Sequence, residues 1–340
     1  MSNIYGNILE VLQDIEKEKR NREHFLNSIP STRADLYRSV IFPNTRKFIP
    51  VEAPDGTIRL IPGNQNLYLF RGQPEDDSPC LSKIYRNNPN EIDIFIARLK
   101  QIEFELVLRE HPAIQDIQKD GIHISFTGLA QHYELATDYL DVTSDPYIAA
   151  FFAVCTYCKS EQRYIPVSSQ NGPSVLMKTP ALVYTNPVTE PKLEIVGLQP
   201  FPRPGNQKAY AVKLRKGENF SAQKMLFHHS KESSQKIYDL FDGGKKLFPP
   251  DPIKNKAQEI SEGVVFSQEA FEQVLQRYDF ARRAEYYLNG LREMENKIKI
   301  SNTCEYRFSI TEINQFKGEW ENGGKSDFYN QIGPTRLTYL

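Results

Sequence analysis

The stretch Asp138-Tyr-Leu-Asp-Val-Thr-Ser-Asp-Pro-Tyr-Ile-Ala-Ala-Phe-Phe-Ala-Val154 changes character halfway along. Asp138 to Val142 reads as a strand. Thr143-Ser144-Asp145-Pro146 then opens a helix that runs through Ala150 and Ala153, with Ser or Asp as its cap and Pro in the first turn. A strand that passes directly into a helix leaves free backbone N–H groups at the junction, where anions bind well. Thr143 and Ser144 lie at that junction. Asp141 sits between apolar neighbours and needs hydrogen-bond donors if it is buried. His132 and the more distant Arg71 are the candidates.

Upstream, Phe126 to Leu135 is predicted to be a helix capped by Thr127. It carries Gln131, His132 and Tyr133. Glu91 to Arg109 has the broadest apolar face of the chain and Pro112 just past its end. Asn66 to Phe70 is a short apolar run that reads as a buried strand stopping at a turn, Arg71-Gly72-Gln73-Pro74. Asn3 to Leu26 has Ile4, Ile8, Val11, Leu12 and Ile15 at helical spacing. Ile29 to Pro62 reads as loops with short strands. Downstream, Ala181 to Tyr184, Lys192 to Val196 and Lys208 to Leu214 read as strands. Gln199 to Pro204 is a Pro-rich loop. Helices are expected over Ser233 to Phe241, from Ile253, and through most of the tail from Val265 to Lys299. Helices and strands mix without regular alternation, which favours α+β over a doubly wound sheet.

The chain has 340 residues, 39% of them hydrophobic and 25% charged, so it can form a globular core. Its 20 Phe and 18 Tyr supply large apolar area. The formal net charge of −1 lacks the basic surplus of a nonspecific nucleic-acid or membrane binder, although a local basic groove remains open. The N-terminus does not read as a signal peptide, and no apolar run is long enough to cross a bilayer, so a cytoplasmic protein is expected. Four cysteines in such a length fit a reducing compartment. Cys155 and Cys158 form a lone C-x-x-C with no second ligand pair, and His228-His229 are adjacent instead of four apart. The expectation is two small core thiols on an apolar helix, without metal.

Phe70-Arg71-Gly72-Gln73 is the second centre of interest. An arginine at the end of a buried strand needs an anionic partner. Its planar fork suits a phosphate or a carboxylate, and Gly72 permits a close backbone approach beside it. Two readings stay open: Arg71 holds a ligand, or it pairs with an internal acid and pins the strand. His132 likewise reads either as a core hydrogen-bonder or as a catalytic group, and its clustering with Gln131, Asp141 and Thr143 draws the two readings level.

Together these segments resemble the FRG family, named for a Phe/Tyr-Arg-Gly-Gln turn. Its later signature is matched in register by Leu129, Gln131, His132, Tyr133, Thr137, Leu140, Asp141, Thr143, Pro146, Ala149, Phe152 and Ala153. Arg203, Gln207 and Tyr210 match a third motif loosely, and Leu247-Phe248-Pro249 matches a Leu-Phe-Pro segment. The resemblance spans about residues 64–262, which divides the chain into a helical extension (1–63), the family domain (64–262) and a helical region packed on it (263–340). Glu134 stands where a Gly is usual, and Val142 where an aromatic is common.

The order of Arg, Thr/Ser before a helix, and a polar residue on a later strand is similar to that of ADP-ribosyltransferases. The resemblance therefore implies a split β-sheet core with helical additions. It also implies NAD as substrate, an unidentified protein or nucleic-acid acceptor, and a bacterial toxin or phage-defence role. Arg71, His132, Asp141, Thr143 and Gln207 form the implied catalytic set. Arg71, Gly72, Gln73, Gln131, Tyr133, Thr143 and Ser144 form the implied NAD-binding set. Arg71 would grip pyrophosphate, and Gln73 and Gln131 would position ribose hydroxyls. His132 would orient Asp141 or stack near nicotinamide, and Thr143 would hold the leaving half. Gln207 stands where those enzymes carry a Glu and cannot supply its charge, whereas Asp141 could. The alternative is a non-enzymatic module that binds a nucleotide or nucleic-acid end in the same pocket.

Overall fold

The structure is a computed structural model that describes residues 4–28, 48–53, 55–63, 67–76, 79–167, 172–184, 192–198, 200–294, 297–333 and 337–338. Helix α1 (Ile8–Ser28) is followed by strands β1 (Phe48–Glu52), β2 (Ile58–Pro62) and β3 (Tyr68–Gln73). Helices α2 (Glu91–Leu108), α3 (Pro112–Lys119) and α4 (Phe126–His132) lead into β4 (Tyr139–Thr143) and α5 (Pro146–Val154). Next come β5 (Cys155–Cys158), β6 (Arg163–Pro166), β7 (Ser174–Pro180), β8 (Leu193–Ile195), α6 (Pro202–Asn206), β9 (Ala209–Lys213) and β10 (Gln223–Phe227). The last part holds α7 (Lys231–Leu240), α8 (Pro252–Glu262), β11 (Val265–Ser267), α9 (Gln268–Arg277), α10 (Ala284–Glu293), β12 (Lys299–Ser301) and α11 (Ile310–Glu319).

The centre is a six-stranded sheet in the order β10-β7-β3-β4-β9-β8. Every neighbouring pair in it is antiparallel. That arrangement, with helices on both sides, bears out the α+β expectation. Both faces are covered, so β7 is buried along nearly its whole length. Leu69, Val175 and Met177 belong to a core shared with α2, α3, α4, α9 and α10. Phe70 and Leu176, of opposite parity, join a second core built with α1, α5 and α7.

Several elements differ from expectation for local reasons. Arg71 to Gln73 are not a turn but the second half of β3, paired residue by residue with Met177, Leu176 and Val175. Helix α4 has Ser125 at its N-cap instead of Thr127. It stops at His132 because Glu134 takes a left-handed φ of 70°, with Leu135 N donating back to Ala130 O at 3.0 Å. Pro112 opens a helix of its own, α3, where its fixed φ is favourable at the first position. Helix α5 ends at Val154, so Cys155 and Cys158 lie on the hairpin strand β5 instead of a helix. All four cysteines are free, and burial pushes the Cys155 thiol up to about 12. Ala181 to Tyr184 is a short 3-10 turn, and the strand precedes it as β7. The tail contains β11 and β12 between its helices. Of the segment expected to be loops with short strands, residues 29–47 lie outside the described residues, and the remainder forms the β1–β2 hairpin.

The helices expected over Glu91 to Arg109 and after Pro146 are present. Helix α2 carries a capping box in which Asn90 and Asp93 satisfy each other's backbone N–H groups. Asp145 caps α5 by accepting from Tyr147 N at 2.9 Å, with Pro146 in the first turn. Among the described residues, no helix is long and apolar enough to cross a membrane.

Candidate functional site

The central strands β3 and β4, the end of α4 and the start of α5 enclose a cleft of about 330 Å³. Arg71 and Gln73 come from β3, Gln131 and His132 from α4, and Asp141 and Thr143 from β4. Gln207, just after α6, also lines it. Residues far apart in sequence thus meet because β3 and β4 are hydrogen-bonded neighbours, with Phe70 opposite Thr143.

A relay of hydrogen bonds holds the Asp141 carboxylate. Thr137 Oγ1 donates to Gln131 Oε1 at 2.6 Å, which turns the amide so that Gln131 Nε2 donates to Asp141 Oδ2 at 3.0 Å. The other carboxylate oxygen, Oδ1, lies 3.3 Å from His132 Nε2. The two groups are misaligned for a hydrogen bond at that distance, and neither atom has a hydrogen-bond partner among the described residues. Arg71 does not pair with this carboxylate. Its Nη1 donates instead to the Asp141 backbone carbonyl at 2.8 Å, tying β3 to β4.

The cleft collects unsatisfied polar atoms. Arg71 Nε, Gln73 Oε1, His132 Nε2, Asp141 Oδ1 and Arg203 Nε are all buried without a hydrogen-bond partner among the described residues, and all five residues line this one cavity. Each such atom costs on the order of 1–3 kcal/mol if nothing meets it. Few native cores leave so many together.

The same cleft is also lined by aromatic side chains. Tyr164 and Phe248 stack with ring centres 4.6 Å apart and planes 15° from parallel. Phe152 meets Phe248 edge-on at 6.0 Å. The Arg203 guanidinium lies 4.9 Å from the Phe248 ring centre, and its Nη2 donates to Glu134 Oε1 at 2.7 Å. Burial pushes the Tyr164 phenol well above its ordinary value, so it stays neutral.

Not every residue singled out in the sequence serves the cleft with its side chain. Gly72 does approach a backbone closely, but it is that of α5: a Cβ there would sit 1.8 Å from Ala149 O. Tyr133 does not line the cleft. It turns into the core, packs on Phe104 and donates to Asp251 Oδ2 at 2.5 Å. Burial, with the Asp251 charge, raises its phenol well above the ordinary value. Ser144 lies outside the lining, and its backbone N–H donates to Lys208 O at 3.3 Å. The Thr143 hydroxyl donates to Gln207 O at 2.8 Å and accepts from Asp145 N. It therefore locks the junction. Gln207 Nε2 donates to Leu247 O at 3.1 Å and fixes the segment that carries Phe248.

Sequence reasoning left Arg203, Glu134, Phe152, Tyr164 and Phe248 out of the site. The Leu-Phe-Pro segment was a usable signal for Phe248, and the loose third motif was one for Arg203. Tyr164 had none.

A family model of the FRG domain matches residues 66–162. No curated protein and no solved structure matches the chain. The match takes in Arg71, Gln73, Gln131, His132, Asp141 and Thr143, and ends before Tyr164, Arg203 and Phe248. Residues 66–162 thus carry an FRG domain.

Proposed function

We propose that this FRG-domain chain uses the cleft for NAD-dependent ADP-ribosyl transfer, on a core of the ADP-ribosyltransferase kind. The observation that carries the reading is the group of five buried polar atoms without hydrogen-bond partners, gathered in one cleft with a stacked aromatic pair. Such a combination suits a ligand with an anionic bridge, sugar hydroxyls and a flat ring. Arg71 keeps one nitrogen on the β4 carbonyl and has its Nε available for a phosphate oxygen. Arg203 has an unpartnered Nε of the same kind. Gln73 Oε1 is available to a ribose hydroxyl, and the Tyr164–Phe248 wall offers a face to the nicotinamide ring.

Asp141, and not Gln207, is assigned the charge role. Cleavage of the glycosidic bond to nicotinamide develops positive charge on the ribose, which a fixed carboxylate stabilises. Asp141 is oriented by Gln131, is 37% exposed, and has one oxygen without a hydrogen-bond partner. Gln207 is neutral and already engaged by Leu247 O. His132 Nε2 is close enough to orient Asp141 once a ligand draws the two into line. A role in toxicity or phage defence inside a cytoplasm would follow from such an activity, with a protein or nucleic acid as acceptor.

The engagement of Gln207 also favours a second reading, a module that binds a nucleotide without cleaving it. Both readings are tested by incubating the protein with NAD and following nicotinamide release and transfer of label to macromolecules. Asp141→Asn should reduce release by about 100- to 1,000-fold, the usual cost of removing a preorganised electrostatic group. Arg71→Lys should weaken NAD binding, because lysine keeps the charge but loses the planar fork. Binding of NAD with no release by the wild type would leave the non-catalytic reading standing, and absence of binding would remove both.

A further inference from the structure

A second cavity of about 500 Å³ shares no lining residue with the cleft. Three arginines face it: Arg59 from β2, Arg109 just after α2, and Arg277 at the end of α9. Only two carboxylates line it, Glu105 and Glu194. Glu105 is almost fully buried and is held by both neighbouring arginines. Arg277 grips it with two bonds, Nη1 to Oε2 at 2.6 Å and Nη2 to Oε1 at 2.9 Å. Arg109 adds Nε and Nη2 to Oε1 at 3.1 and 2.7 Å. One carboxylate thus anchors two guanidiniums and cannot neutralise both.

The anchoring matters more than the count. Arg109 and Arg277 are each about two-fifths exposed, and yet their orientations are fixed. Arg109 also lies over the Phe126 ring at 4.9 Å. Fixed forks lose little conformational entropy when they meet an oxyanion. Arg109 Nη1 takes no part in the hydrogen bonds to Glu105. Across the cavity, Arg59 has no carboxylate within ion-pair distance among the described residues and feels only a longer-range attraction to Asp55. Glu194 is turned toward His123, with 3.6 Å between Oε2 and Nε2.

We propose that this cavity is a binding site for a phosphate-bearing small molecule. Arg109 and Arg277 form its rigid floor and Arg59 its third contact. Planar forks from three elements suit the several oxygens of a phosphate or pyrophosphate better than the two of a carboxylate. The volume is that of a site for a small ligand and not of a single ion.

Isothermal titration calorimetry with sodium pyrophosphate tests this. The measurement uses the full chain carrying Arg71→Ala, which removes the phosphate contact proposed for Arg71 in the cleft, and the Arg59 variants separate any remaining binding there from binding in this cavity. Saturable, one-to-one heat at low ionic strength is expected. Adding Arg59→Glu should weaken it at least tenfold, whereas Arg282→Glu, a charge reversal at an exposed arginine elsewhere, should leave it unchanged. Arg59→Gln serves if the glutamate variant fails to fold. The proposal is overturned if the Arg71→Ala protein gives no saturable heat. It is equally overturned if the Arg59 variants bind pyrophosphate as tightly as their parent. NAD turnover by the wild type is independent of either result.

Discussion

Arg98 and Arg71 both lie beside an aspartate, and their surroundings differ. Arg98 on α2 is buried and meets Asp138 at 2.9 Å, Gln101 at 3.0 Å and the Tyr278 hydroxyl at 3.4 Å. Its guanidinium also lies 4.4 Å from the Tyr278 ring centre. Every contact of that cluster is made within the protein, and it binds the C-terminal helices to α2. Arg71 has a backbone carbonyl as its acceptor and a buried Nε with no partner, and the nearby aspartate has an oxygen in the same state. The first neighbourhood leaves no buried side-chain atom of Arg98 or Asp138 without a hydrogen-bond partner among the described residues, and the second does. Burial of charge alone does not separate structural from functional groups, but the state of their remaining hydrogen-bonding atoms does.

That contrast can be broken by experiment. The largest effect is expected at Gly72, which belongs to the cleft wall but acts through packing. Gly72→Ala should cost more than about 4 kcal/mol in denaturant unfolding, since both clashing partners are backbone and cannot swing away. Arg98→Ala should come next, at about 3–5 kcal/mol, because it strands the buried Asp138 carboxylate. A loss below about 1 kcal/mol would show that the complete cluster is not structural.

A third comparison point is His111, buried with no counter-ion in contact among the described residues, stacked on Phe316 at 4.4 Å and accepting from Ala113 N. Burial lowers its pKa from 6.5 to about 4. The folded state resists protonation, so between these values the unfolded chain binds more protons and stability falls as pH falls. The loss should begin near pH 6.5, level off near pH 4 and reach about 3 kcal/mol, at roughly 1.4 kcal/mol per pKa unit. His111→Gln should flatten the part of the curve that this residue contributes.

Arg71→Ala should have the smallest effect on stability. It loses one bond to a carbonyl, worth about 1 kcal/mol, and it removes an unpaired buried nitrogen. The same substitution should abolish any thermal stabilisation by NAD, which for the wild type approaches about 2.7 kcal/mol at a hundredfold excess over Kd. A large loss of stability in Arg71→Ala with no NAD effect in the wild type would make the two arginines alike.

The sequence was most legible where local chemistry decides the backbone. Asp145 and Pro146 announce α5, because caps and first turns use signals a few residues long, and the broad apolar face over Glu91 to Arg109 announces α2. It was less legible where tertiary contacts decide. Arg71-Gly72-Gln73 reads as a turn by composition, yet pairing with β7 on one side and the close passage of α5 make it strand. β7 itself, buried on both faces, has no alternation to reveal it, and the apolar run after it reads as the strand instead. The site was legible as a set of polar residues, but not in its wiring. Nothing local says that Thr143 would be spent on Gln207 O, or that Tyr133 would leave the cleft for Asp251. In the sequence, Glu134 stands out only as a departure from a family glycine. Its φ of 70° explains why glycine suits the position, and its bond to Arg203 gives the glutamate an occupation there.

The contact between Gly72 and Ala149 has a wider consequence. The tetrapeptide by which such chains are recognised contains a keyway: its glycine is cut away so that a helix can be seated on a strand. Substituting it should unseat α5, and with α5 the junction residues Thr143 and Asp145 that are bolted to its start. A scan for the tetrapeptide therefore retrieves this seam between two elements first and chemistry second. Two chains could share the seam and differ entirely in what their clefts hold.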